Sequence, residues 1–238
     1  RDFNIESYDN FLSPPLLEKA VAKMESRLAG LKAKKSFSFK EKSLLDVLST
    51  GIRFAPTIIA GVDDAKKVMR TPDRFFDFEA YKQADMIIKS ALKLVSDAYA
   101  PSVLTLSTFE SGTRAEESTQ RAAEVTRNSD INPFVDLYED VLLPSEQWDD
   151  YGLAGISIVG ISQILPGLTL ARMLKEKHPH LHVTLGGPIF SVNSKQLLDQ
   201  PEFFDEFCDS VVTFEGEEPL HRLLTTLKQS SSLKEVPN

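Results

Sequence analysis

The sequence predicts an α/β fold: a doubly wound, Rossmann-like parallel sheet with a helical N-terminal elaboration. From Leu153 onward, short apolar segments alternate with amphipathic segments of ten or more residues, and parallel strands need such helical crossovers. Before residue 150, apolar residues recur mainly at helical spacing. We therefore divide the chain into a helical elaboration with one or two strands that join the sheet (1–150), a βαβ core (151–227) and a tail or linker (228–238).

The composition is that of a folded globular chain. Of the 238 residues, 42% are hydrophobic and 26% are charged, which excludes disordered and fibrous classes. No run approaches the roughly 18 uninterrupted apolar residues of a membrane span, so no membrane partner is expected. The net charge of −8 argues against a nucleic-acid partner, because phosphate contacts need clustered Lys and Arg. Cys208, the only cysteine, predicts a reducing, cytoplasmic location.

The N-terminal half is predicted to open on a strand, RDFNI, and to continue as helices. Helices are expected at residues 13–31, 41–60, 62–70, 78–98, 115–127 and 133–143. The first begins at Ser13, followed by two prolines that suit a first helical turn. The segment SVLTLSTF is short and uncharged, which predicts a strand buried on both faces. The aromatic residues of FFDFEAY are predicted to be core.

The C-terminal half is predicted to place its polar loops at one edge of the sheet. Its predicted strands are LAGISIV, LHVTLGG and DSVVTF, and its helices are QILPGLTLARMLKEKH, SKQLLDQPEFFDEF and PLHRLLTTLK. Ligands of open parallel sheets bind at the carboxyl ends of the strands. The loops there are Ser157 to Ser162, Gly186-Gly187-Pro188 and Glu215-Gly216-Glu217.

Glycine at these turns allows a ligand to lie against the backbone or allows a positive φ. A plainer interpretation is that Gly-Gly-Pro is a tight turn and that Ser162 caps a helix. No GxGxxG follows a strand and no GxxxxGK[ST] is present, which weakens dinucleotide and phosphoryl-transfer interpretations.

Three segments taken in order carry a family resemblance: AGISIVGISQILPGLTLARMLKEKHP, VTLGGP and DSVVTFEGEEPLHRLL. They resemble the cobalamin-binding domain that precedes the catalytic barrel in cobalamin-dependent radical SAM enzymes. The resemblance covers residues 151–227. Looser similarity to larger, tailoring-type members extends to DFNIESY, FFDFEAYKQA, YAPSVLTLSTF and NPFVDLY.

The resemblance implies roles for individual residues in binding cobalamin. Ser157 matches the serine that hydrogen-bonds the nucleotide tail, in an element whose third position is Val159 here. Gly160 belongs to the same turn, and Ser162 and Gln163 would face the corrin or its tail. Gly186 and Gly187, followed by Pro188, match the glycine pair that leaves room for the dimethylbenzimidazole. Glu215, Gly216 and Glu217 match the acidic turn that borders the site.

The resemblance also implies the chemistry of a parent enzyme. A four-iron, four-sulfur cluster on a CxxxCxxC motif would cleave S-adenosylmethionine, and methylcobalamin would supply a methyl group to an unactivated carbon of a peptide or small natural product. The single cysteine places that cluster outside this chain, so no catalytic residue and no metal ligand are assigned within it. The resemblance thus implies that 228–238 is a linker to a catalytic domain outside this chain. The DxHxxG motif is absent, which implies cobalamin bound with its base detached and without a histidine ligand.

Two other classes remain open: a flavodoxin-like small-ligand binding or sensor module without catalysis, and an interaction scaffold whose partner surface is formed by the helices of 14–98. The histidines of His178-Pro179-His180-Leu181-His182 are interpreted as a surface at a helix end, where the dipole suits them, rather than as metal ligands. Trp148 is expected to pack at the domain junction, and Cys208 to be a buried filler.

Overall fold

The structure, a computed structural model, describes residues 1–229, apart from the side chain of residue 116. The chain divides into two compact units between Thr113 and Arg114. The change of sequence pattern near residue 150 therefore marks the start of the strand–helix alternation and not the boundary between the units. The second unit begins earlier, at Arg114, with helices that precede the first strand of that alternation. The expected linker, 228–238, falls largely outside the described residues.

The first unit is helical. Its helices are α1 (Phe3–Phe11), α2 (Pro14–Lys32), α3 (Phe39–Arg70), α4 (Pro72–Phe75) and α5 (Phe78–Ala98), and its strands are β1 (Val103–Leu104) and β2 (Phe109–Glu110). Helices α2, α3 and α5 pack against one another. Leu17, Met24, Leu48 and Leu92 of these helices are fully buried. Burial of each such side chain contributes about 1.5–3 kcal/mol.

The predicted helices of this unit are largely confirmed. Segments 13–31 and 78–98 correspond to α2 and α5, whereas 41–60 and 62–70 form one helix, α3, that contains Pro56. By length and composition, α3 is also the one helix among residues 1–229 that could cross a membrane. Its most apolar window has a mean hydropathy of 1.3, and 17% of that window is buried. The expectation of no membrane partner stays a prediction.

The predicted strand RDFNI is wrong, because this segment begins helix α1. The Asp2 carboxylate accepts a hydrogen bond from the backbone N–H of Ile5 at 3.0 Å. A side-chain acceptor at this position satisfies one of the free N–H groups of a helix start and favours the helix.

The segment SVLTLSTF was predicted to be a strand of the parallel sheet, and this is also wrong. It forms most of an antiparallel hairpin, β1–β2, with a two-stranded sheet of its own. The hydroxyl of Thr105 accepts hydrogen bonds from the backbone N–H groups of Ser107 and Thr108, at 3.3 and 3.0 Å, and so closes a turn in the middle of the segment. Val103 is 46% exposed rather than buried.

The aromatic residues of FFDFEAY were predicted to be core but lie at the surface. Phe76 and Phe78 are 82% and 71% exposed. They flank Asp77, whose carboxylate accepts from the N–H of Ala80 at 2.9 Å and caps α5. Because the segment is a helix boundary, its side chains diverge around the cap instead of sharing one inward face.

The second unit contains a three-stranded parallel sheet with its helices. The helices are α6 (Thr119–Arg127), α7 (Pro133–Leu137), α8 (Ile164–Lys177), α9 (Pro188–Val192), α10 (Ser194–Leu198), α11 (Pro201–Phe207) and α12 (Glu217–Lys228), and the strands are β3 (Leu153–Ser157), β4 (His182–Gly186) and β5 (Ser210–Val212). Short 3₁₀ turns at Ala115–Glu117, Trp148–Asp150 and Ile161–Gln163 and a π-helical turn at Tyr138–Leu142 complete it. The prediction of a mixed α/β chain with parallel strands joined by helices is confirmed.

Helix α8 is the centre of the second unit. It packs against β3, β4, α6 and α11. Gly167 faces the end of β3 so closely that an added Cβ would lie 2.5 Å from Cδ1 of Ile158. Two buried polar groups fasten α8 to the preceding helices: Arg172 donates to the carbonyl of Thr126 at 2.7 Å, and the Asn132 amide donates to the Thr169 hydroxyl at 2.9 Å.

Candidate functional site at the carboxyl edge of the sheet

The three strands end side by side, which gathers the predicted site loops at one edge. The strand order is β3-β4-β5 and all pairs are parallel. Ser157 at the end of β3 is the register partner of Gly186, which in turn is the partner of Val212. The loops that carry the predicted residues all leave from this edge, which we call the carboxyl edge.

The loop after β3 is closed by its own glutamine. The side-chain oxygen of Gln163 accepts hydrogen bonds from the backbone N–H groups of Val159 and Gly160, at 2.9 and 3.3 Å. Gln163 was predicted to face the corrin or its tail, and in this structure its side-chain oxygen shapes the turn. Ser157 is exposed and Ser162 is half-buried, so the hydroxyl of Ser157 is the more open of the two predicted serines.

The glycine pair after β4 serves a close approach between two backbone segments. Gly187 has φ of +117°, and a Cβ there would lie 2.2 Å from the carbonyl oxygen of Ile158. Gly186 accepts from the N–H of Ile158 at 2.8 Å, and its own Cβ would make an ordinary contact, 3.5 Å from the carbonyl of Val212. The glycine pair was expected either to let a ligand lie against the backbone or to allow a positive φ. For Gly187 the structure supports the positive φ, because the backbone of Ile158 fills the space beside it. Pro188 then begins α9.

The acidic turn after β5 is open to solvent. Phe214 adopts φ of +57°, and its N–H donates to the hydroxyl of Ser191 at 2.7 Å, which fixes the start of the turn. Glu215 and Glu217 are exposed, and Gly216 between them precedes α12. Both carboxylates can accept hydrogen bonds from a ligand at this edge.

Sequence reasoning missed that the carboxyl edge is also apolar. Val159, Ile161 and Phe214, in the loops after β3 and β5, are 62%, 73% and 79% exposed. Their signal in the sequence was the presence of apolar residues within the polar turns SIVGIS and TFEGE. Exposed apolar side chains beside hydroxyl and carboxylate groups suit a bulky amphiphilic ligand, and such patches commonly mark binding sites. The groups at this edge can hold such a ligand by apolar contact and by hydrogen bonds.

A concave site in the first unit was not predicted. A cavity of about 720 Å³ lies between α3, α5 and the β1–β2 hairpin. Leu44, Val47 and Leu104 are among its apolar walls, and Lys93 and Asp97 also line it. Burial raises the pKa of Asp97 although Lys93 donates a hydrogen bond to its carboxylate. The misread hairpin is the reason the cavity was missed, because a buried strand would have left no such wall.

At the opposite edge of the sheet, Asp149, His178 and His180 lie together, with one ligand atom from each within 4.8 Å of the others. His182 is separate from them: its Nε2 is 2.9 Å from the hydroxyl of Ser210, and burial lowers its pKa. The histidines expected to form a plain surface thus separate into a cluster with Asp149 and a buried polar contact.

Comparison of the chain with protein-family models, with curated proteins and with solved structures found no match.

Proposed function

We propose that the second unit is a cobalamin-binding module of a cobalamin-dependent radical SAM enzyme, which positions methylcobalamin for methyl transfer to an unactivated carbon of a peptide or small natural product. The observation that carries the proposal is the carboxyl edge, where the loops of the resemblance lie next to one another. The parent enzyme would be cytoplasmic and would also use S-adenosylmethionine and a four-iron, four-sulfur cluster held outside this chain.

The residues at the carboxyl edge have the mixture of apolar and hydrogen-bonding groups that a corrinoid ligand requires. A corrin ring is apolar with amide side chains at its rim, and the edge offers the apolar groups of Val159 and Phe214 beside the hydroxyl of Ser157 and the carboxylates of Glu215 and Glu217. Cobalamin would supply the methyl transfer, and the chain would supply placement. The backbone of Ile158 occupies the space beside Gly187, so the tail is assigned to the side of Ser157 and Gly160.

We infer a doubly wound sheet for the same module. In such folds the strand order reverses, and the ligand lies at the point of reversal. Within residues 1–229 the strands are in consecutive order and β3 pairs with β4 alone. The other edge of β3 is therefore where a further strand would pair to create the reversal, next to Ser157.

Titration of the purified chain with hydroxocobalamin, followed by its visible spectrum, tests the binding proposal. We expect a saturable spectral shift. A Cβ at Gly160 would meet nothing within 4 Å, so Gly160→Phe places a ring over the carboxyl edge without disturbing the fold, and it should weaken binding at least tenfold. Gly152→Phe is the matched control, because Gly152 has equally open surroundings but precedes β3.

The absence of a spectral shift, or equal binding by the two glycine variants, would contradict the proposed site. The proposed reaction is tested separately on the parent protein, by a methylated product that requires both S-adenosylmethionine and cobalamin.

The alternative, a small-ligand binding or sensor module without catalysis, is favoured by the cavity of the first unit. Its apolar walls and lining lysines suit an amphiphilic anion, for which anilinonaphthalene sulfonate is a fluorescent probe. Val47→Trp should fill the cavity and abolish probe binding, whereas Val21→Trp, on α2 outside the cavity lining, should not. Probe binding together with no response to cobalamin would favour this alternative.

A further inference from the structure

The cluster of Asp149, His178 and His180 lies at the amino-terminal edge of the parallel sheet, opposite the carboxyl edge. Asp149 belongs to the 3₁₀ turn that leads into β3, and His178 follows the last residue of α8. The N–H of His182 donates to the carbonyl of Gly152 at 3.1 Å and so holds the segment before β4 against the segment before β3.

The side-chain distances are close to those of a metal site. Asp149 Oδ1 lies 3.8 Å from Nδ1 of His178 and 3.9 Å from Nε2 of His180. A tetrahedral zinc ion with bonds of about 2.0–2.2 Å holds its ligand atoms roughly 3.3–3.5 Å apart. The three ligand atoms lie within 4.8 Å of one another, so zinc binding would require rotation of the Asp149 side chain, which is 91% exposed, and small shifts of the two imidazole rings.

The two histidines are held in place by the local backbone. The N–H of His178 donates to the carbonyl of Leu174 at 2.8 Å, and its carbonyl accepts from the N–H of Leu181 at 2.9 Å, which closes a turn around Pro179. Leu181 is 3% exposed and anchors that turn in the core. The backbone of the two histidines is therefore preorganised, which lowers the entropy lost on binding.

The side chain and the backbone carbonyl of Trp148 lie next to the two histidines of the cluster. The indole N–H donates to the carbonyl of Leu143 at 2.8 Å, and the ring lies 5.9 Å from that of His178, between centroids. The Trp148 carbonyl lies 3.3 Å from Nε2 of His180. A ring nitrogen that ligates a metal carries no proton to donate, so metal binding at Nε2 replaces this hydrogen bond. The carbonyl oxygen is then placed to approach the metal as an additional ligand.

The electrostatic setting favours a cation. The C-terminal end of α8 carries the negative end of the helix dipole beside His178. Lys177, at the end of the same helix, is ion-paired with Glu139, which offsets its positive charge. Asp149 adds a full negative charge.

We propose that Asp149, His178 and His180 bind a divalent transition-metal ion, and that Zn²⁺ is the ion these ligands suit best. Two imidazoles and one carboxylate favour zinc and its neighbours over Mg²⁺ and Ca²⁺, which prefer oxygen ligands. Three protein ligands on an exposed surface leave at least one coordination position open to water or to a ligand. The ion would also clamp the turn before β3 to the end of α8.

Trp148 makes the proposal directly measurable, because it is the only tryptophan in the chain and it contacts His178. Titration of the metal-free chain with Zn²⁺ should change its fluorescence saturably, with one ion per chain, and EDTA should reverse the change. Cu²⁺, which quenches tryptophan fluorescence, should bind at the same site and compete with Zn²⁺.

His180→Ala is the first test variant, because His180 is exposed and its removal leaves the core intact. It should lower Zn²⁺ affinity at least tenfold, and so should His178→Ala. His221→Ala, which removes an exposed histidine of α12, is the matched control and should keep the wild-type affinity. Since removal of His178 also alters the surroundings of Trp148, bound zinc is counted independently by equilibrium dialysis and elemental analysis.

Zinc bound with unchanged affinity by His178→Ala and His180→Ala would overturn the proposal. So would a wild-type fluorescence change that does not saturate, or a dialysed protein that holds no zinc. The cluster lies at the opposite edge of the sheet from the proposed cobalamin loops. The outcome of the zinc experiments is therefore independent of the outcome of the hydroxocobalamin titration.

Discussion

A Cβ atom on Gly187 would lie 2.2 Å from the carbonyl oxygen of Ile158. This approach joins the loop after β3 to the loop after β4 and gives the carboxyl edge its shape. The opposing atom is backbone, so it cannot rotate away as a side chain would. The positive φ of Gly187 adds a second reason why other residues are excluded there.

We therefore expect Gly187→Ala to lower the free energy of unfolding by about 2 kcal/mol or more, from the positive φ and the clash together. Thermal unfolding followed by circular dichroism measures the change. Gly186→Ala is the control, because a Cβ there makes an ordinary contact, and it should have the smaller effect. Equal destabilisation by the two alanine variants would show that the close approach to Ile158 is not the reason for a glycine at position 187.

Gln163 is expected to hold the turn after β3. Gln163→Leu keeps the size of the side chain but removes the oxygen that accepts from Val159 and Gly160. The lost hydrogen bonds should cost about 0.5–1.5 kcal/mol and open the turn. Hydrogen exchange should be faster at the two amides, and Gln163→Glu, which retains an acceptor oxygen, should restore protection. Unchanged exchange in Gln163→Leu would mean that the turn is held by other contacts.

The βαβ part of the fold could be predicted because its signals are local and repeated. The short, largely apolar segments LAGISIV and LHVTLGG, which contain β3 and β4, and the helical spacing of α8 mark these elements without knowledge of their neighbours. Once the strands are parallel, the gathering of Ser157 and Gly186 at one edge follows from topology alone.

The N-terminal half was less predictable because single polar side chains decide its local structure. Asp2 converts an apparent strand into the start of α1, Thr105 turns an apparent strand into a hairpin, and Asp77 splits an aromatic run at a helix cap. Each residue competes with the apolar pattern through one or two hydrogen bonds to the backbone.

The roles at the candidate sites depended on contacts that no sequence pattern contains. The engagement of Gln163 with its own loop and the filling of the space beside Gly187 are tertiary geometry. The approach of Asp149 to His178 likewise requires the turn before β3 to lie beside the end of α8.

Cys208 should make stability depend on pH in the alkaline range. Burial raises the pKa of its thiol from 9.0 to about 12 in the folded protein. The folded state therefore keeps its proton where the unfolded state loses it, so the contribution is complete below pH 9 and is lost as the pH rises toward 12. Stability should fall by about 1.4 kcal/mol per pH unit through this window.

The contribution of Cys208 can be separated from other alkaline titrations by comparison with Cys208→Ala. Lysines and tyrosines titrate in both proteins, so the difference between their unfolding free energies isolates the thiol. The wild type should lose stability more steeply between pH 9 and 12. Parallel curves for the two proteins would contradict the buried, protonated thiol.

Asp9 should stabilise the first unit through its contacts with α3. Its carboxylate lies 2.7 Å from Nζ of Lys66 and 2.7 Å from a guanidinium nitrogen of Arg70. The hydrogen bond from Lys66, aided by Arg70, lowers the pKa of Asp9 below its ordinary 3.8. The stabilisation is therefore present above that value and is lost as the pH falls through the lowered pKa of the folded state.

Asp9→Asn should lower the melting temperature at pH 7 by an amount that corresponds to about 0.5 kcal/mol in the free energy of unfolding. The expected effect is small because the carboxylate is 45% exposed and solvent screens its ion pairs. The difference from the wild type should shrink in 1 M salt and disappear below the lowered pKa, since Asp9 is then uncharged in both states. Asp46→Asn, at an exposed aspartate of α3, is the control and should change the melting temperature little at any of these conditions. A difference that persists unchanged in acid would show that Asp9 acts through packing or neutral hydrogen bonds rather than through its charge.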